Sequence, residues 1–147
     1  MHQLTSIGKW RLKVRVKWDT NRGTWDGQKY PTTADSRADT YGESEWDDFQ
    51  VGSEATNYQL RIGNQLSKNN WEGDPFHSRN LDGMQFTTQD RDHDRWSGVN
   101  CASLTNGGWW YNNCYWICLT CNRPYFAIHD GIKTRLPSLA EMWIKKV

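Results

Sequence analysis

The stretch that most constrains this chain runs from Lys9 to Trp18, where every second residue is apolar. Trp10, Leu12, Val14, Val16 and Trp18 fall on one side, and Lys9, Arg11, Lys13, Arg15 and Lys17 on the other. A period of two is the signature of a β-strand with one buried and one solvated face. Trp46, Phe49 and Val51, set among Glu43, Glu45, Asp47 and Asp48, predict a second strand. Tyr58, Leu60 and Ile62 before Gly63 predict a third, and Leu139 to Ile144 a fourth. The order implies an antiparallel sheet. Five cations on the first strand invite a polyanion-binding reading. The acidic segment that follows can instead pair with them across an antiparallel ladder, at about 0.2–1 kcal/mol per pair. The expectation is a self-neutralised solvent face.

From residue 64 to residue 137 periodicity disappears and Asn, Asp, Gly, Ser and Trp dominate. That pattern reads as a long, ordered loop region in which function should sit. No segment carries sustained helical periodicity, and no internal repeat is present. The whole chain, 1–147, has the size of one domain. Only 36% of it is hydrophobic, but ten Trp and six Tyr supply large apolar bodies for a loop-rich core. A formal charge of +1 offers no global field toward nucleic acid or an anionic membrane. No apolar run approaches the roughly 20 residues of a membrane span. Met1-His2-Gln3 lacks a signal-peptide pattern, and no N-x-S/T sequon occurs.

Asp90, Asp92 and Asp94 alternate in Asp90-Arg91-Asp92-His93-Asp94, ahead of Trp96-Ser97-Gly98, which can turn its carbonyls inward. Hard oxygen donors of this kind suit calcium. An EF-hand would need Gly at Arg95 and Glu at Cys101, so that motif fails. The alternative is a solvated acidic turn neutralised by Arg91 and Arg95. Cys101 and Cys114 enclose a short loop holding Gly107-Gly108-Trp109-Trp110-Tyr111, where a disulfide would remove about 3 kcal/mol of unfolded-state entropy. Cys118 and Cys121 form a C-x-x-C that fits a second disulfide, two buried thiols or, with Cys114, a zinc site. For catalysis the chain offers little. His2, His77, His93 and His129 are scattered, and no nucleophile–base pair or phosphate-cradling loop is present.

Several linked motifs carry a resemblance. Phe49-Gln50-Val51-Gly52-Ser53-Glu54, Asn57-Tyr58-Gln59-Leu60-Arg61-Ile62-Gly63, Asp82-Gly83-Met84-Gln85-Phe86-Thr87-Thr88-Gln89-Asp90, Asn100-Cys101-Ala102 and Gly108-Trp109-Trp110-Tyr111-Asn112-Asn113-Cys114 are similar, in order and spacing, to the fibrinogen C-terminal domain family. The resemblance implies an α+β fold with a central antiparallel sheet and a loop-rich, calcium-bearing subdomain. It implies Ca2+ held by the Asp92 and Asp94 side chains, with carbonyls of Trp96 and Gly98, and a Cys101–Cys114 disulfide. It implies a non-catalytic, secreted recognition module with its pocket beside the calcium loop. Thr105, Asn113, Tyr115 and His129 fall on that pocket. Ficolin-like members imply a carbohydrate or acetylated ligand in innate defence. Fibrinogen and angiopoietin members imply a protein or receptor partner instead, and a degenerate copy without ligand is a third reading.

Three departures stand out. Met1 falls where the family is already well into its domain, so the resemblance implies an N-terminally truncated domain, with assembly into homo-oligomers through upstream segments. Val99 is one residue more than the family has between the calcium loop and Asn100-Cys101. Tyr115 replaces a customary His, and Cys118-Leu119-Thr120-Cys121 replaces Asn-Leu-Asn-Gly.

Overall fold

The alternation of the first strand is matched by its burial. Leu12, Val14 and Val16 have no exposed surface and Trp18 only 4%, while Arg11, Lys13, Arg15 and Lys17 between them are partly solvated. A computed structural model describes residues 2–18, 24–25, 28–29, 40–71, 73–114, 117–122, 124–127, 134–135 and 137–147. In chain order its elements are α1 (His2–Thr5), β1 (Trp10–Trp18), β2 (Thr24–Trp25), β3 (Gln28–Lys29), β4 (Tyr41–Trp46), β5 (Gln50–Val51), β6 (Leu60–Arg61), β7 (Gln65–Asn69), α2 (Pro75–Ser78), α3 (Cys101–Thr105), β8 (Ile117–Cys118), β9 (Tyr125–Ala127), β10 (Thr134–Arg135) and β11 (Pro137–Lys146). Strands and short helices together make the expected α+β fold.

The central sheet runs β11-β1-β4-β7, antiparallel throughout. Arg15 stands opposite Glu43 on one side and Glu141 on the other. Lys13 Nζ lies 2.9 Å from Glu43, and Arg15 Nε lies 3.9 Å from Glu43 and 3.7 Å from Glu141. The Arg15 guanidinium also sits 3.9 Å from the centroid of the Tyr41 ring. The middle of the first strand is thus neutralised across the ladder, as its charge pattern implies. Gly42 is required here. A Cβ on it would meet Asn70 O at 2.5 Å and Trp18 Nε1 at 2.6 Å, because the Trp18 indole crosses β4 to donate to Asn70 O at 3.1 Å.

The strand expectations are corrected in part: the second strand breaks after Trp46, where Asp48 takes φ 46°, and Val51 falls in β5 outside the central sheet. Leu60 lies in a small β5–β6 pair outside the central sheet, and Ile62 follows the end of β6. Tyr58 is not in a strand at all, because Asn57 and Tyr58 both take positive φ, at 50° and 53°. The fourth central strand is β7, which falls inside the stretch read as aperiodic. Its side chains are nearly all exposed, so no buried face imposes an apolar period of two on it.

Aromatic rings join the sheet to the loop region. Trp46 packs edge-on to Trp71 at 5.8 Å and to Phe76 at 4.9 Å, Phe76 reaches Trp109 at 6.3 Å, and Trp109 meets Trp110 at 5.2 Å. Such tilted contacts add to simple burial. Asp74 fixes this junction. Its Oδ1 accepts from Trp46 Nε1 at 3.0 Å and from the Phe76 and His77 N–H groups that open α2.

Candidate functional site

The acidic segment is built from a tight turn. Thr88 and Arg91 exchange both backbone hydrogen bonds, and Thr87 bridges Trp109 in the same way. Inside that turn Thr88 Oγ1 donates to Asp90 Oδ1 at 2.6 Å, which holds the exposed Asp90 carboxyl below its ordinary value. Behind it, His93 N donates to Thr87 Oγ1 at 3.1 Å, and His93 Nδ1 lies 2.8 Å from Phe86 O, a distance that needs the tautomer protonated at Nδ1. His93 is therefore a structural residue.

Asp92 and Asp94 shape the next turn. Asp92 Oδ1 accepts from Asp94 N at 3.2 Å. Asp94 Oδ1 accepts from Trp96 N at 2.8 Å, and Asp94 Oδ2 accepts from Cys101 N at 2.8 Å. Burial pushes the Asp94 carboxyl up, the negative charge of Asp92 adds to this, and the two backbone N–H groups oppose it. The turn runs on through Trp96, Gly98 at φ 88° and a long 3.4 Å bond from Val99 N to Trp96 O. Val99, the extra residue, lies within this turn.

Among the described residues, no group of three or more His, Cys, Asp or Glu side chains comes together as a metal cage. Asp90 is turned to Thr88. A cation here would therefore rest on Asp92, Asp94 and backbone carbonyls. The donor chemistry fits a hard divalent ion. Two adjacent carboxylates repel one another, and each Asp94 oxygen keeps acceptor capacity beyond the N–H it already takes.

The loop is clipped to α3. Asn100 caps this helix through Oδ1, which accepts from Ser103 N at 3.1 Å, and its Nδ2 donates to Thr88 O at 2.9 Å. Cys101 is bonded to Cys114. Thr105 Oγ1 donates to Cys101 O at 2.8 Å and lies 2.5 Å from the Tyr111 hydroxyl. Tyr111 in turn donates to Gly107 O at 2.6 Å and lies 3.1 Å from Cys121 Sγ. Burial, reinforced by the charge of Asp94 and opposed by Thr105, pushes the Tyr111 phenol up to about 12.

Cys118 and Cys121 form a second disulfide, so none of the four cysteines is available as a zinc ligand. This pair presses on the glycine turn. A Cβ on Gly107 would meet Cys121 Cα at 2.5 Å, and Thr120 Oγ1 donates to Gly108 O.

The predicted pocket residues are distributed unevenly. Thr105 directs its hydroxyl inward, to Cys101 and Tyr111, and Asn113 is exposed beside Cys114. Tyr115 and His129 lie outside the described residues.

The chain as a whole has known relatives. Residues 1–133 match the family of fibrinogen beta and gamma chains, C-terminal globular domain. The chain belongs to this family. Among its relatives, angiopoietin-related protein 2 of human and of mouse is 37% identical over 105 residues, 71% of this chain and 20% of the relative. Human ficolin-3 is 34% identical over 115 residues, 78% of this chain and 31% of the relative. The fibrinogen-like globe domain of human ANGPTL2 superposes with a TM-score of 0.65 at 29% identity, covering 99% of this chain and 62% of that one. That of human ANGPTL6 gives 0.68 at 27% identity, with 99% and 60% covered. The chain thus spans about a fifth of the length of the angiopoietin-related proteins and under two thirds of the solved globes.

In this fibrinogen-like domain two residues escaped sequence reasoning. Tyr111 is the hub of the interior network, and its sequence signal was its place in the Gly108–Cys114 motif, which does not reveal its partners. Lys145 faces the first strand, and it was missed because the predicted last strand stopped at Ile144. No helix among the described residues is long and apolar enough to cross a membrane.

Proposed function

We propose that this fibrinogen-like domain is a non-catalytic, extracellular recognition module, stabilised by calcium at the Asp92–Asp94 loop and binding a carbohydrate or acetylated group beside it. One observation carries the reading. The Asp94 carboxylate holds Trp96 N with one oxygen and Cys101 N with the other, so loop and helix share a single anion. Asp92 and Asp94 are the groups that would hold the cation, with carbonyls of Trp96 and Gly98. Calcium would supply charge neutralisation there, while the chain's own work is to fix the loop against α3. Two disulfides fit an oxidising compartment. Ficolin-3 among the relatives supports the lectin reading.

A second reading is a protein or receptor partner. It is favoured by Thr105, whose hydroxyl is engaged in the interior where a sugar-binding surface would use it. Angiopoietin-related relatives support it too.

Thermal unfolding with calcium and with chelator tests the metal. A ligand at a hundred times its Kd adds about 2.7 kcal/mol, so calcium should raise the melting temperature of the wild type and leave Asp92→Ala/Asp94→Ala unmoved. An equal rise in the double variant removes the site. An array of acetylated glycans, run with calcium and with chelator, tests the ligand. Calcium-dependent retention supports the lectin reading. Silence on the array, with capture by a receptor ectodomain, supports the second.

A further inference from the structure

We propose that the end of the central sheet carrying Lys9, Arg11 and Lys145 on one face is a docking surface for a linear anionic polysaccharide, separate from the acidic loop. The register segregates the sheet's charges. Toward the middle, Glu43 and Glu141 engage Lys13 and Arg15. At the end, Arg11 stands directly opposite Lys145, a like-charge pair across an antiparallel ladder. Such pairs oppose folding, so a sheet that keeps one has a local excess of positive charge for an anion to neutralise. Lys9 extends the row, since Val147 N donates to Lys9 O at 2.9 Å, whereas Lys146 stands opposite Trp10 on the other face of the sheet.

The neighbouring acids do not cancel this excess. Glu45 lies further in, opposite Lys13, and Asp47 and Asp48 follow the end of β4. Among the described residues no ion pair joins any of them to Arg11, Lys9 or Lys145.

Geometry and neighbours favour a sugar chain. Cations two residues apart on one strand are about 7 Å apart and cross-strand partners about 5 Å, a narrow ladder suited to a single file of sulfates or carboxylates. Trp143, 42% exposed, stands opposite Lys13 and one step from Lys145 on the same face, and offers a ring for a pyranose to stack on.

The test is binding of the full chain to immobilised heparin over a series of salt concentrations, with duplex DNA and phosphatidylserine vesicles as parallel arms. Heparin should bind more tightly than either, and binding should weaken steeply as salt screens the contact. Arg11→Glu is the decisive variant. It places an opposite charge across from Lys145, so it should cut heparin affinity by about tenfold or more without lowering the melting temperature. Lys68→Glu on β7 should bind like the wild type. Undiminished binding by Arg11→Glu overturns the proposal, and so does equal affinity for DNA or vesicles. If Arg11→Glu loses binding and stability together, Lys145→Gln decides, because an unchanged affinity there also overturns it.

Discussion

The two halves of this fibrinogen-like domain are held together by different physics. In the sheet half, apolar side chains alternate into one core, and the polar face carries partly exposed ion pairs and the Arg15–Tyr41 contact. In the loop half, from Asp74 to Tyr125, backbone groups are pinned one by one by side chains. Asp74, Asp82, Asp94 and Asn100 each accept from a main-chain N–H, and two disulfides close the remainder. Sensitivity to substitution should therefore differ between them. The sheet half depends on buried volume, and the loop half on particular polar atoms and covalent bonds.

Trp46→Ala is the strongest way to break the sheet half. Trp46 is fully buried between Trp71 and Phe76 and also donates to Asp74. Its loss should cost about 3–5 kcal/mol in denaturant unfolding, equally in calcium and in chelator. A cost that depended on calcium would blur the distinction between the halves.

Next in size is the Cys101→Ser/Cys114→Ser variant. With the cysteines 13 positions apart in sequence, the chain-entropy estimate is about 3 kcal/mol. Loss of the covalent brace on α3 should also weaken the calcium response, because Cys101 N is the group that Asp94 holds. A calcium response of unchanged size would show that loop and helix are independent.

Alkaline titration sharpens the contrast further. The Tyr111 phenol, with a folded value of about 12 against an ordinary 10.0, binds its proton more tightly when folded. Its contribution is therefore complete below pH 10 and lost as pH rises through about 12. Stability should fall in that window, and Tyr111→Phe should flatten the fall. An equally steep fall in Tyr111→Phe would assign it to other groups.

The smallest effect belongs to Glu43→Gln. Its partners Lys13 and Arg15 are a third or more exposed, so the loss should be within about 0.2–1 kcal/mol and shrink with added salt. A larger, salt-insensitive loss would mean that the outer face is buried by something.

Legibility followed the same division. β1 was readable because one of its faces is buried and the other wet, and its charge pairing followed from the acids of β4. β7 was not readable, since exposure on both faces leaves no hydrophobic period. Tyr58 misled because its alternation with Leu60 and Ile62 says nothing of a backbone that turns left-handed at Asn57 and Tyr58. In the site, the Asp92 and Asp94 pattern and the cysteine spacing were visible as residue types. Their partners were not, because the bond from Cys101 N to Asp94 and the inward turn of the Thr105 hydroxyl depend on where α3 is docked.

The chain of rings that joins the halves also has an optical consequence. Trp18, Trp71 and Trp46 lie in sequence at 6.0 and 5.8 Å, and Trp109 and Trp110 at 5.2 Å. Indoles this close exchange excitation faster than the molecule tumbles. Emission should therefore be depolarised at ordinary excitation wavelengths and regain anisotropy at the red edge of absorption, where transfer between indoles fails. The coupled Trp109–Trp110 pair should add a split band to the circular dichroism spectrum. Both signals depend on the native separations, so they will report, without any added label, the moment at which sheet and loops part.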